Sequence, residues 1–158
     1  MDTIVNLTPV SPTGSSSIII AVDPFTKWIE LGSLNNLNSH ETSQWFHKNI
    51  TCRYGVPYLV RSDRGSEYRG RFHRYLELTG VAHRYISTMN PRANGQAERM
   101  VRSVKEGLVR CLEGCPDAKW WEVLGDVARG LRMTPSRATG HSPYSLVFKC
   151  AAPLPVLH

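Results

Sequence analysis

The sequence predicts an α/β fold, a mixed sheet flanked by helices. Three observations predict it. Short apolar runs suited to strands come first and then alternate with segments of helical period. Glycine, proline and asparagine mark the boundaries between them. The 158 residues, 41% of them hydrophobic, suffice for one domain with a real core.

Residues 2–7 read as a first strand, and 9–16, rich in Ser, Pro and Gly, as a hairpin loop. The run from Ile18 to Asp23 is a second strand, apolar enough to be buried. Pro24-Phe25-Thr26 turns the chain into a third strand over 27–31. Asn38, with Glu41 three positions on, resembles a capping box and opens a helix to about residue 54. Gly55 and Pro57 stop that helix. A fourth strand over 58–60 runs into Ser62-Asp63.

Phe72, Tyr75 and Leu76 mark one face of a short helix that Gly80 ends, and 81–86 is a fifth strand. Residues 87–95 hold Asn, Pro and Gly and read as a loop. Ala97, Val101, Val104, Leu108 and Cys111 then recur at helical spacing. Trp120, Leu124, Val127 and Leu131 mark another helix, and Ser142-Pro143 starts a short last one. The domain is expected over 1–150, with 151–158 as a C-terminal tail.

No stretch is long and apolar enough to span a membrane, and no signal peptide is visible. Cys52, Cys111, Cys115 and Cys150 match no paired zinc spacing and read as reduced thiols of an intracellular protein. The charge is more informative. Of the net +6, the window from Arg61 to Arg110 alone carries eleven cations against five acids, also +6. Ten of those cations are arginine, which suits bidentate phosphate contacts. A polyanionic partner is expected, against the blander reading of a solvated basic surface.

Within that window two carboxylates stand out. Asp63 lies where a strand ends, the place at which open α/β sheets gather ligands. Its plain alternative is a turn aspartate. Glu98 lies in the first turn of the long helix, where the helix dipole alone would favour it. Arg102 and Lys105 follow at four and seven residues and share its face. That face is either an ion-paired wet surface or a carboxylate beside two phosphate-binding cations.

Several ordered motifs now converge. They are Ser62-Asp63-Arg64-Gly65-Ser66-Glu67-Tyr68, Gly80-Val81 with His83 and Ser87, Asn90-Pro91, and Asn94-Gly95-Gln96-Ala97-Glu98-Arg99. Ile20-Ala21-Val22-Asp23-Pro24-Phe25-Thr26-Lys27-Trp28 and Thr139-Gly140-His141-Ser142-Pro143-Tyr144 join them. Together they resemble, over nearly the whole chain, the integrase catalytic core of gypsy-type retrotransposons and retroviruses. The resemblance implies a ribonuclease-H-like fold with a five-stranded mixed sheet. It also implies an Asp, Asp, Glu triad. It assigns the first aspartate to Asp2 on the first strand, with Asp63 and Glu98 as the others. Asp23 then reads as a residue capping the turn into Phe25-Thr26-Lys27.

The sequence departs from the family in three places. The chain begins one residue before Asp2, so the first strand is expected to be short. Asp63 and Glu98 are separated by 34 residues, one fewer than is usual. Arg92 stands where the family commonly has Gln. The family's zinc-binding and C-terminal DNA-binding domains are not seen here.

The implied activity is DNA integration, the trimming of element DNA 3′ ends and their joining to target DNA. Asp2, Asp63 and Glu98 would hold Mg²⁺ or Mn²⁺, two ions about 3.5–4 Å apart in such sites. Asn94, Arg102 and Lys105 match positions that contact the element's end. The expected partners are DNA and further copies of the chain, as a homodimer or higher oligomer, and the expected compartment is the nucleus when chromosomal DNA is the target. The competing readings are a domesticated or inactive integrase-derived module that binds DNA or dimerises, and a resolvase of the same fold, which the Asn90 to Arg99 motif disfavours. Trp121, to one side of the expected Trp120 helix, is the candidate surface for self-association.

Overall fold

The computed structural model describes residues 1–86, 91–115 and 118–151, without the side chains at 91–94, 96 and 97. The elements run β1 (Asp2–Ile4), β2 (Ser17–Val22), β3 (Ile29–Leu34), α1 (Ser39–Phe46), α2 (Cys52–Tyr54), β4 (Leu59–Ser62), α3 (Gly70–Leu78), β5 (Ala82–Tyr85), α4 (Pro91–Gly114), α5 (Leu124–Met133) and α6 (Pro143–Phe148). A π-helical stretch, His47–Thr51, joins α1 to α2, and a 3₁₀ turn, Ser66–Tyr68, follows β4. The chain folds as two compact units: Met1–Ala21 with Glu30–Arg102, and Val22–Ile29 with Ser103–His158.

In the first unit β1 pairs antiparallel with β2, Asp2 opposite Ile20 and Ile4 opposite Ile18. Ile18, Ile19 and Ile20 are all buried, as expected of a strand flanked on both sides. Asn6 takes a left-handed conformation, φ 59°, two residues after β1, which is why the strand stops at Ile4 and not at residue 7. β4 and β5 pair in parallel, Val60 opposite His83 and Ser62 opposite Tyr85. α3 is the crossover that a parallel pair requires. The five strands thus form a three-stranded and a two-stranded ladder, not one continuous sheet. The Met1 α-nitrogen donates to the Arg61 carbonyl of β4 at 2.6 Å, a single hydrogen bond between the two ladders.

Asn38 caps α1 as expected, accepting from the amides of His40 and Glu41 at 3.0 and 2.9 Å. Glu41 reaches further back than a capping box would. It accepts from the amides of Asn35 and Asn36 and from the Asn36 side chain. The core of this unit joins Phe46, Val60, Tyr68, Phe72, Leu76 and Val81. Phe72 meets Phe46 and Tyr68 edge-on, at 5.5 and 5.9 Å between ring centroids.

In the second unit Val104, Leu108, Trp120, Val123, Leu124, Val127 and Ala128 are buried. Gly107 lets α4 and α5 close up, because a Cβ there would lie 2.9 Å from Val127 Cγ1. Trp28 carries the Arg132 guanidinium 4.5 Å from its ring, while Arg132 Nε donates to the Ile29 carbonyl at 2.8 Å. Ser142 caps α6 by accepting from the Ser145 amide at 3.1 Å, and Pro143 fills the first helical position.

Two expectations are corrected. Residues 91–95 belong to α4 and not to a loop, because proline fits the first turn of a helix, where its missing N–H has no partner to lose. Residues 87–90 lie outside the described residues, as do 152–158 of the expected tail. Trp120 and Trp121 precede α5 in a turn, and Trp121 packs edge-on against Trp120 at 5.5 Å. The helical phase that set Trp121 apart as a docking residue therefore does not apply. The four cysteines are free. No helix among the described residues is long and apolar enough to cross a membrane.

Candidate active site

Three carboxylates of the first unit lie on β1, just after β4 and on α4; Glu98 is two turns into α4 and not in its first turn, because the helix already begins at Pro91. Asp2 is half-buried on β1, and its Oδ1 accepts from the Thr3 amide at 2.8 Å. Asp63 follows β4 and is exposed, with Oδ1 accepting from the Gly65 amide at 2.9 Å. Glu98 is exposed on α4. The Asp2 carboxyl is held above its usual pKa. Burial is the largest cause, opposed by the Thr3 amide and the α-ammonium group, and the negative charges of Asp63 and Glu98 push it further up. Asp2 therefore lies within electrostatic reach of both its sequence-predicted companions. Among the described residues, no group of three or more His, Cys, Asp or Glu side chains is closed up tightly enough to hold an ion as it stands.

Asp23 behaves differently. Its Oδ2 accepts from the Thr26 amide at 2.9 Å and from the Thr26 hydroxyl at 2.6 Å. Partial burial pushes this carboxyl up. The Thr26 and Phe25 donors and the Lys27 ammonium outweigh it, so the net shift is down. Both oxygens serve the turn, as the sequence reading of a capping residue expects.

Two neighbours escaped sequence reasoning. Glu67 is only 5% exposed and accepts from the Thr3 hydroxyl at 3.1 Å. Its carboxylate lies against Gly65, where a Cβ would come within 2.6 Å of Glu67 Cδ. Gly65 is thus needed for close approach, and not for a left-handed backbone, since its φ is −55°. Tyr68 is fully buried, and its phenol oxygen closes no hydrogen bond of good geometry, although the Thr3 hydroxyl lies near enough to act on it. Burial first, then Glu67, Asp2 and Asp63, raise that phenol well above its usual pKa. The neighbourhood is acidic, and its carboxylate oxygens are hard donors that suit Mg²⁺ or Mn²⁺ better than zinc. A cation would relieve the mutual repulsion that Asp2 registers.

Of the expected DNA contacts, Arg102 and Lys105 are exposed on α4. Among the described residues Glu98 and Arg102 form no ion pair. Asn94 lies on α4, but its side chain is outside the described residues.

Beside Asp63, Ser62 is buried and its hydroxyl meets His83 Nε2 at 3.0 Å. His83 is held down to a pKa of about 4, by burial first and then by His73 and the α-ammonium group. The folded protein therefore favours the neutral ring. The stability this provides is whole above pH 6.5 and is lost as pH falls from 6.5 towards about 4. Because the ring is only half-buried, solvent screening reduces the effect to about 1 kcal/mol. Urea unfolding at pH 7 and pH 4.5 should show that much extra loss in the wild type relative to His83→Gln, and parallel losses would contradict it.

Comparison with known proteins follows the same lines. No family model matches the chain. The Gag-Pol polyprotein of Walleye dermal sarcoma virus is 30% identical over 130 residues, 82% of this chain and 7% of the polyprotein. The Pol polyprotein of Feline endogenous virus ECE1 is 27% identical over 156 residues, 97% of this chain and 15% of the polyprotein. The chain thus spans a small part of these relatives. The catalytic core domain of HTLV-2 integrase, solved in complex with magnesium in a trimeric form, superposes with a TM-score of 0.69 at 18% identity, covering 82% of each chain. The catalytic core domain of BIV integrase gives 0.74 at 17% identity, over 94% of this chain and 92% of that one. A chain of the simian T-cell lymphotropic virus intasome gives 0.76 at 17% identity, over 99% of this chain and 57% of that one. At such identities the structural likeness is one of fold, the ribonuclease-H-like α/β fold.

Proposed function

We propose that this chain, a homologue of the retroviral integrase catalytic core domain, is a metal-dependent polynucleotidyl transferase and endonuclease that trims the 3′ ends of an element's DNA and joins them to target DNA. The observation that supports the reading is the raised pKa of Asp2, pushed up by burial first and then by the negative charges of Asp63 and Glu98. Three carboxylates, on a strand, after a strand end and two turns into a helix, share one electrostatic neighbourhood.

Asp2, Asp63 and Glu98 would hold Mg²⁺ or Mn²⁺. The chemistry a divalent cation supplies when bound is Lewis-acid polarisation of a phosphoryl oxygen and a lowered pKa for an attacking hydroxyl or water. The residues do the rest. Glu67, hydrogen-bonded to Thr3, packs under Gly65 and fixes the loop that carries Asp63. Arg102 and Lys105 present exposed cations to phosphates, and Asn94 joins them on α4. The element is a gypsy-type retrotransposon or a retrovirus, and action on chromosomal DNA sets the work in the nucleus. Joining two DNA ends needs more than one active site, so a homodimer or larger assembly is part of the reading. Sedimentation at increasing concentration tests that part.

Arg102→Ala and Lys105→Ala should each weaken DNA binding with little sequence preference. Each should lower the slope of log K against log salt by about 0.9, one phosphate contact. Unchanged slopes would make these residues a plain solvated face.

The second reading is an integrase-derived module that binds DNA or self-associates without catalysis. The absence of a closed ligand group among the described residues favours it. Calorimetric titration with Mg²⁺ and Mn²⁺ separates the two, since the enzyme binds them at millimolar concentration or below and the module does not.

A further inference from the structure

A line of hydrogen bonds crosses the first unit from α3 to the end of β4. His73 Nε2 lies 3.4 Å from Glu77 Oε1, and His73 Nδ1 lies 3.0 Å from His83 Nδ1. His83 Nε2 lies 3.0 Å from Ser62 Oγ, which donates to the Asp63 carbonyl at 2.9 Å. The His83 ring is seated between Phe72, edge-on at 5.7 Å, and Tyr85 at 4.5 Å.

From Ser62 to His73 the donors have one consistent order, and the Glu77 contact lies outside it, since a neutral His73 that donates from Nδ1 has no proton on Nε2. The single proton of Ser62 Oγ goes to the Asp63 carbonyl. Oγ must then accept from His83, so the His83 proton sits on Nε2. A neutral ring with its proton there has a bare Nδ1, which must accept from His73 Nδ1–H. The depressed pKa of His83 agrees with a ring kept neutral. The line ends on the peptide from which the Asp63 side chain departs, and that side chain is held in turn by the Gly65 amide at 2.9 Å.

We propose that His83 is a positioning residue for Asp63: through Ser62 it fixes the peptide at the exit of β4, and with it the direction of the carboxylate. The proposal rests on Asp63 as the metal ligand named above. Its geometric content does not depend on metal, so its test is made without metal. Failure of that test leaves the metal reading to be judged by metal binding alone.

The test is nuclear magnetic resonance on the whole metal-free chain. In the wild type, long-range ¹⁵N spectra should place the His83 proton on Nε2. The solvent-exchange rate of the Gly65 amide then reports on the Asp63 carboxylate that accepts from it. The Ile86 amide, which donates to the Ser62 carbonyl at 2.7 Å, reports on the β4–β5 ladder. Ser62→Ala and His83→Leu should speed Gly65 exchange about tenfold and leave Ile86 unchanged. His83→Gln retains an N–H at the reach of Nε2 and should restore the wild-type rate. A purely packing role would respond to the lost ring in both His83 variants alike. A His83 proton on Nδ1, Gly65 rates within twofold of wild type in Ser62→Ala and His83→Leu, or no rescue by glutamine would overturn the proposal. Should His83→Leu fail to fold, Ser62→Ala and the wild-type spectra decide it.

Discussion

Asp63→Asn and Glu98→Gln should each abolish the proposed metal-dependent nicking and strand transfer while leaving the fold intact. Both side chains are exposed, so neither substitution opens a cavity or strands a buried charge. The expected stability change is within about 0.5 kcal/mol. The catalytic change is far larger. An amide is a poor ligand for a hard cation, and metal stabilisation of a phosphoryl-transfer transition state is worth several kcal/mol. Losing it lowers the rate by roughly three orders of magnitude or more. A supercoiled-plasmid nicking assay in Mn²⁺, with circular dichroism on the same samples, checks both halves. Retained nicking in either variant would sink the mechanism.

Phe72→Ala should cost about 3–5 kcal/mol of stability. The ring is 0% exposed and lies edge-on to Phe46, Tyr68 and His83. It therefore packs against α1, against the 3₁₀ turn and against β5 at once. For a domain with a typical 5–15 kcal/mol in total, this is a large fraction. The 3₁₀ turn carries Glu67 and Tyr68, so the loss should also weaken divalent-metal binding. Urea unfolding measures the first effect, and a change below about 1.5 kcal/mol would mean that this core is not where the fold is held.

How much of this was legible in the sequence follows from which contacts are local. The Ile18-Ile19-Ile20 run announced a buried strand, and Asn38 announced a helix cap, because both signals sit within a few residues. Asp23 was readable as a turn residue for the same reason. The third strand was misplaced by a few residues because Lys27 adopts φ 64°, a conformation that its residue type does not advertise. The start of α4 was missed because Pro91 and Gly95 signal a loop by composition, yet proline is at home in a helix's first turn. Trp120 and Trp121 were placed on a helix that begins only at Leu124, because the apolar spacing runs on through the turn before it.

Asp63 and Glu98 were singled out through motifs. That Asp2 feels both is a non-local fact, which no periodicity could show. Glu67 was passed over because a buried carboxylate runs against the expectation that charges stay in water. The line from His73 to Ser62 draws on three separate elements, and the order of its protons is fixed only by distances.

The most direct test of the central claim is Mn²⁺ titration followed by paramagnetic broadening of backbone amides. If Asp2, Asp63 and Glu98 hold the ion, sub-stoichiometric Mn²⁺ should broaden the amides of residues 2–3, 63–65 and 98–99 first and spare the turn from Asp23 to Lys27. Asp63→Asn should remove the effect at all three places together. Broadening centred on Asp23, or no selective broadening at millimolar Mn²⁺, would contradict the assignment.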